Sequence, residues 1–131
     1  MKNKLITFLG ALLIISACNK PEKIKSHLEG TWVCEYEIME DGSKNFSAPY
    51  ALVDFNYSDG FTLNEDGTGS TMWYGAPNGD IEWSNTKEKL IIHDQYWNGE
   101  LINYEYSIEN VTSSSMEFEN YKGHRFGMKK E

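Results

Sequence analysis

The chain has 131 residues, 40% hydrophobic and 14% aromatic, with a formal net charge of −8. That length suits one domain with a modest core and leaves no room for a second. An acid excess without a basic stripe argues against nucleic acid and anionic lipid headgroups as direct partners, and aromatics spread along the chain argue for a folded body.

Lys2 and Lys4 precede an apolar run over residues 5–18 that closes on Ile15-Ser16-Ala17-Cys18. A positive start, a short apolar stretch and small residues before a cleavage point are the parts of a secretory signal, and the run is too short to cross a bilayer stably. Its ending resembles the lipobox of bacterial lipoproteins. The resemblance implies that residues 1–17 are a signal peptide absent from the mature protein. It also implies that Cys18 becomes the N-terminus, thioether-linked to diacylglycerol and N-acylated by a palmitate-class chain. Several acyl chains anchor far more firmly than one. The implied address is the outer membrane of a bacterial envelope, since Asn19 is not the aspartate that retains some such proteins at the inner membrane. Whether the domain faces the periplasm or the outside is left open. Residues 1–17 hold two lysines and no acid, so their removal takes the net charge from −8 to −10.

Residues 18–27 read as a lipidated tether and a short helical turn, with Ile24 and Leu28 four apart on one face. Residues 28–131 read as the folded domain. From Gly30 the pattern changes to period two: Trp32, Cys34, Tyr36 and Ile38 alternate with Val33, Glu35, Glu37 and Met39, as in a half-buried strand. Strands are expected near 31–39, 50–56, 60–65, 68–74, 80–84, 88–93, 101–109, 115–120 and 124–129. Asp41-Gly42, Asp59-Gly60, Asp66-Gly67, Asn78-Gly79 and Asn98-Gly99 stand between strand-like runs and signal hairpins, because these residues tolerate positive φ. Mostly local, antiparallel connections follow. Closing eight or nine such strands into a barrel removes both exposed edges, and a sandwich is the alternative.

Gly30-Thr31-Trp32 opens the first strand directly after the helical turn, and Arg125 lies on the last. This resembles the lipocalin pattern, in which a G-x-W motif starts the first strand and a basic residue of the final strand packs over the tryptophan. A guanidinium above an indole gains a cation–π contact and ties the two strands together. The chain is more similar still to the lipocalin-like domain of small Bacteroidetes-type lipoproteins. That resemblance rests on Gly30-Thr31-Trp32, the run from Phe61 to Gly69, Ile81-Glu82-Trp83 with Leu90-Ile91-Ile92, and Met116-Glu117-Phe118, in this order. It covers roughly residues 28–129. It implies an all-β, up-and-down barrel of eight or nine strands behind a short helical turn, with Gly30, Trp32 and Arg125 as its structural motif. The T-D-Y type motif of ordinary lipocalins is missing, and the chain is shorter than most transport lipocalins.

Other motifs have plainer readings. Asn64 to Gly69 is rich in oxygen ligands but lacks the helices and closing glutamate of an EF-hand, and a hairpin turn accounts for it. His27, His93 and His124 fall in separate segments without zinc-site spacing, so no metal or cofactor is expected. His93 and Asp94 are adjacent on a strand and point to opposite faces. No G-x-S-x-G elbow is present, and no enzyme is expected. With Cys18 committed to lipid, Cys34 is left without a partner and reads as a buried, inert thiol. The outward acids Glu35, Glu37, Glu105, Glu109, Glu117 and Glu119 read as a solvated face, with docking of a basic partner as the alternative.

Trp73, Trp83, Tyr96, Trp97 and Tyr104 either fill the core or wall a ligand pocket at the mouth opposite the helical turn. Tyr96 and Trp97, beside the Asn98-Gly99 tip, read most readily as mouth residues. The function expected is therefore a membrane-anchored, lipocalin-like lipoprotein binding a small apolar or amphipathic ligand. The alternative is a non-enzymatic envelope or surface protein whose filled barrel docks a protein partner.

Overall fold

A computed structural model describes residues 20–46, 59–120 and 122–131, with backbone alone for 94–97. The signal segment, Cys18, the strand expected over 50–56 and the side chains of Tyr96 and Trp97 lie outside the described residues. The helical turn is α1 (Pro21–Leu28). Proline suits its first position, where the missing N–H has no partner to lose. Leu28 is fully buried and Ile24 packs against the core beside it, as their spacing of four predicts.

Among the described residues nine strands follow: β1 (Gly30–Ile38), β2 (Lys44–Asn45), β3 (Gly60–Leu63), β4 (Thr68–Trp73), β5 (Ala76–Asn85), β6 (Lys89–Trp97), β7 (Glu100–Glu109), β8 (Ser115–Glu119) and β9 (Arg125–Lys130). From β3 to β9 each strand pairs antiparallel with the next. β1 pairs with β3 on one side and β9 on the other, which closes an eight-stranded barrel. β2 is the extra strand, pairing with β1 through Glu37↔Asn45 and Ile38↔Lys44. The barrel alternative to a sandwich is thus the one adopted, and no barrel strand among those described is left with an open side along its whole length.

Inward positions form one core from Trp32, Phe61, Leu63, Ile81, Trp83, Leu90, Ile92, Tyr106, Phe118, Phe126 and Met128, with Leu28 of α1 closing one end. The segments at this closed end that approach α1 are the start of β1, the Asn64–Gly67 turn, the end of β9 and the end of β5, where Asn85 Nδ2 donates to Pro21 O at 3.1 Å.

Among the described residues, three β-bulges shift the expected alternation. In β1 the register with β9 slips between Cys34 and Tyr36: Cys34 opposes Met128, Tyr36 opposes Gly127, Glu37 opposes Phe126 and Ile38 opposes Arg125. One extra residue exchanges every later side chain between faces. Tyr36 and Ile38, expected inside, lie outside, and Glu37, expected outside, turns inward. Gly127 makes this visible, because a Cβ there would run into the Tyr36 ring. A second bulge puts Asn78 inside β5 rather than in a turn, its Oδ1 accepting from the buried Thr71 hydroxyl. The β4–β5 turn falls instead at Tyr74 and Gly75, with φ of 49° and 78°. Gly60 is likewise no turn residue: it begins β3 where a Cβ would meet the Trp32 carbonyl. The third bulge lies in β6 between Ile92 and Gln95. The turns at Asp41-Gly42, Asp66-Gly67 and Asn98-Gly99 are where the sequence places them.

Candidate functional site

The closed end is held by two lysine–tryptophan contacts. Trp32 is fully buried and its indole N–H donates to Leu28 O at 2.7 Å. Lys130 Nζ lies 5.1 Å from the Trp32 ring centre and donates to His27 O at 2.6 Å. Burial pushes the Lys130 ammonium below its ordinary pKa, partly opposed by the Glu29 carboxylate. Beside it, Lys25 Nζ lies 5.1 Å from the Trp83 ring and donates to Glu65 O at 2.6 Å and to Glu29 Oε1 at 3.2 Å. The Trp83 N–H is shared between Asn64 O and Thr68 O, at 3.0 and 3.1 Å.

Two expected placements are corrected here. The base over Trp32 is Lys130, not Arg125. Lys130 opposes Trp32 in the β1–β9 ladder, and Arg125 lies five residues earlier, on the other face and about 16 Å along the strand at roughly 3.3 Å per residue. Arg125 instead holds Glu117 and Glu109 on the outer face at 3.3 and 3.7 Å. Trp83, expected at the mouth, sits under α1 because β5 runs from the far end down to Asn85. Gly30 holds φ of 129° next to the Lys130 stem, a conformation that favours glycine at the start of β1.

Above this base an aromatic floor crosses the barrel. Phe118 stacks on Tyr106 at 4.6 Å and approaches Phe61 at 6.0 Å and Phe126 at 6.5 Å, and Tyr104 lies 6.3 Å from Tyr106. Tyr104 is almost wholly buried, at 7% exposure. It belongs to this buried layer.

At that far end Trp73 shares the inward face with the buried Thr71 by alternation. It is only partly buried and meets Tyr74 edge-on at 4.7 Å. Tyr96 and Trp97 reach the same end in backbone register, opposite Leu101 and Glu100. Of the five expected ligand residues, the far end therefore holds Trp73 and the backbone of Tyr96 and Trp97, the floor holds Tyr104, and the closed end holds Trp83.

Glu37 is the far-end residue that the sequence reading missed. It is half-buried, opposes the buried Phe126 and lines an open depression of about 890 Å³ at the rim with Ile38, Asp41, Lys122, His124 and Arg125, acids and bases together. The one signal for it was Gly127, since a glycine inside a strand marks a bulge or a close approach. Cys34 lies below on the inward side, its thiol pushed up to about 12, chiefly by burial and further by the carboxylates of Glu37, Asp59 and Glu35. It is held un-ionised, as an inert thiol should be. Among the described residues no group of three His, Cys, Asp or Glu side chains is arranged to hold a metal.

A helix-capped, eight-stranded antiparallel barrel closed by its first and last strands, with a G-x-W opening under a base of the final strand, is a lipocalin-like barrel. The chain is similar in structure to a lipocalin-like protein from Bacteroides uniformis. The TM-score is 0.51 and the identity 16%, covering 80% of this chain and 99% of that one. At that identity the likeness shows the fold. No family model matches the chain, and no curated protein matches it in sequence.

Proposed function

We propose that the protein is a lipoprotein of the bacterial envelope, anchored to the outer membrane through acylated Cys18. In this reading its barrel holds, without transforming, a small apolar or amphipathic molecule. The observation that carries the ligand reading is the asymmetry of the barrel. Tryptophans, lysines and α1 seal one end, whereas the partly exposed Trp73 stands on the inward side at the other. Pockets of this kind combine apolar walls with a few polar groups. Native mass spectrometry of protein purified from its host tests the reading: a bound small molecule supports it, and a consistently empty barrel refutes it. Trp73→Ala and Trp97→Ala should weaken capture of that molecule while costing little stability. Anchoring is tested separately, since Cys18→Ala should leave a soluble or unprocessed precursor on fractionation.

A second reading is a filled barrel that docks a protein partner. Two observations favour it: the Phe118 stack occupies the middle of the barrel, and Glu105, Glu109 and Glu119 lie exposed outside. An empty barrel that co-purifies with one basic protein would select it.

A further inference from the structure

We infer that the barrel stands on the membrane by its closed end, the outer face of α1 and the exposed lysines around it resting on a layer of zwitterionic phospholipid headgroups. This rests on the acylation of Cys18 proposed above and adds the surface by which the domain meets the lipid. Only Asn19 separates Cys18 from Lys20, where the described chain begins. Two residue steps reach at most about 7 Å, so acyl chains on Cys18 hold the start of α1 within that distance of the headgroups. α1 is itself fixed to the barrel, by the burial of Leu28, by Asn85 at its start and by Lys130 at its end. Its outer side exposes Glu22, Lys23 and Ser26, polar groups that belong among headgroups rather than in hydrocarbon.

The distribution of charge selects this pose over one in which the domain lies on its side. Among the described residues, the lysine and arginine side chains without an ion pair, hydrogen bond or ring contact are Lys20, Lys23, Lys87 and Lys129. All four are exposed at the closed end. Lys20 and Lys23 belong to the start of α1, Lys87 lies two residues beyond the Asn85 that meets Pro21, and Lys129 precedes the Lys130 that meets His27. The bases remote from α1 are engaged: Lys44 lies 4.5 Å from the Tyr36 ring, and Arg125 holds Glu117 and Glu109. Glu22, Glu65 and Glu88 are exposed beside the four lysines, so the closed end presents both signs, as a layer of ammonium and phosphate headgroups does. The far end instead exposes Glu40, Asp41, Glu100 and Glu119, and any anionic lipid repels it. The end that holds Trp73 then points away from the membrane.

The test uses the protein purified with its acyl chains and reconstituted into vesicles of phosphatidylethanolamine with a minor share of phosphatidylglycerol. A fluorophore is attached either at Ser26→Cys, on the outer face of α1, or at Leu101→Cys, beside the far-end turn, both exposed positions. Cys34 is buried and takes no label. β6 spans nine residues between the two ends, about 26 Å along the strand and about 20 Å in height at a tilt near 40°. A quencher carried on lipid headgroups should therefore quench the Ser26 label several-fold more than the Leu101 label. Lys23→Glu combined with Lys87→Glu should narrow that difference, and so should added salt, which screens surface charge. Equal quenching of the two labels, or stronger quenching at Leu101, overturns the pose. A difference that survives the double reversal leaves the short tether as its sole cause and overturns the role given to the lysines. Protein purified from its host without acyl chains overturns the anchoring reading itself.

Discussion

Lys130→Met isolates the contact that closes the barrel under α1. Methionine keeps most of the stem volume and removes only the ammonium. Two interactions go with it: a hydrogen bond from Nζ to His27 O at 2.6 Å and a cation–π contact at 5.1 Å from the Trp32 ring. A hydrogen bond from a charged donor contributes about 1.5–3 kcal/mol, and a cation over an indole at a partly exposed site about 0.5–1 kcal/mol. The desolvation that depresses the Lys130 pKa offsets part of this, and the His27 carbonyl regains water in the variant. A net loss of about 1–2 kcal/mol results. For a domain of this size that lowers the melting temperature by roughly 4–10 °C. Chemical and thermal denaturation should be run beside Arg125→Met, which loses only exposed ion pairs worth under about 1 kcal/mol. If Arg125→Met is the more damaging, or Lys130→Met is neutral, the assignment of Lys130 as the closing base is wrong.

Gly127→Ala should destabilise by about 1–3 kcal/mol through overpacking against the Tyr36 ring. Tyr36→Ala in the same chain should relieve part of that loss in a double-mutant cycle. Cys34 should resist a disulfide reagent at pH 8 in the native protein and react only as denaturant unfolds it, since its thiol is pushed up to about 12. Rapid labelling of the folded protein would contradict the burial. Its raised pKa also means that its contribution is intact below the ordinary thiol range and that stability declines as pH rises above it. Asp66 is held below the usual carboxylate range, first by the Thr68 hydroxyl and then by the Thr68 N–H, at 2.6 and 3.0 Å. The stabilisation is therefore present above the ordinary carboxylate pKa and lost as pH falls through the lowered value. Asp66→Ala should lower the unfolding midpoint at pH 7, and its gap to the parent should close in strong acid.

Much of the barrel is legible in the sequence because it rests on local signals. Gly30-Thr31-Trp32 after a short helix, alternating runs such as Tyr104, Tyr106 and Ile108, and the Asp66-Gly67 and Asn98-Gly99 turns each specify their own neighbourhood. What escapes is register between strands far apart in sequence. Lys130 and Arg125 are both basic residues of the last strand, and only the pairing with β1 decides which one meets Trp32. The bulges escape for a related reason. Nothing in the alternation from Trp32 to Ile38 marks Glu35 as the extra residue; the partner strand, with Gly127 beneath Tyr36, does that. Glu37 was consequently read as one more solvated acid. Trp83 was misplaced because β5 begins at Ala76, well before the expected start, so its direction carries Trp83 to the closed end.

Closure of β1 on β9 also sets an order in time. The first barrel strand is bordered by the last one from Trp32 to Ile38, and Trp32 waits for Lys130 across almost the whole described chain. Hairpins from β3 to β8 can form as soon as they are made, but β1 and α1 gain their full set of neighbours only after residues 125–130 have emerged. Such long-range pairing is slow, since loop entropy is lost before contacts repay it. Until then β1 presents an unpaired edge to its surroundings, the form in which a β-protein is most prone to aggregate. The ammonium of Lys130 thus arrives with the final step of folding, and deleting the last strand would leave the chain arrested in that vulnerable state.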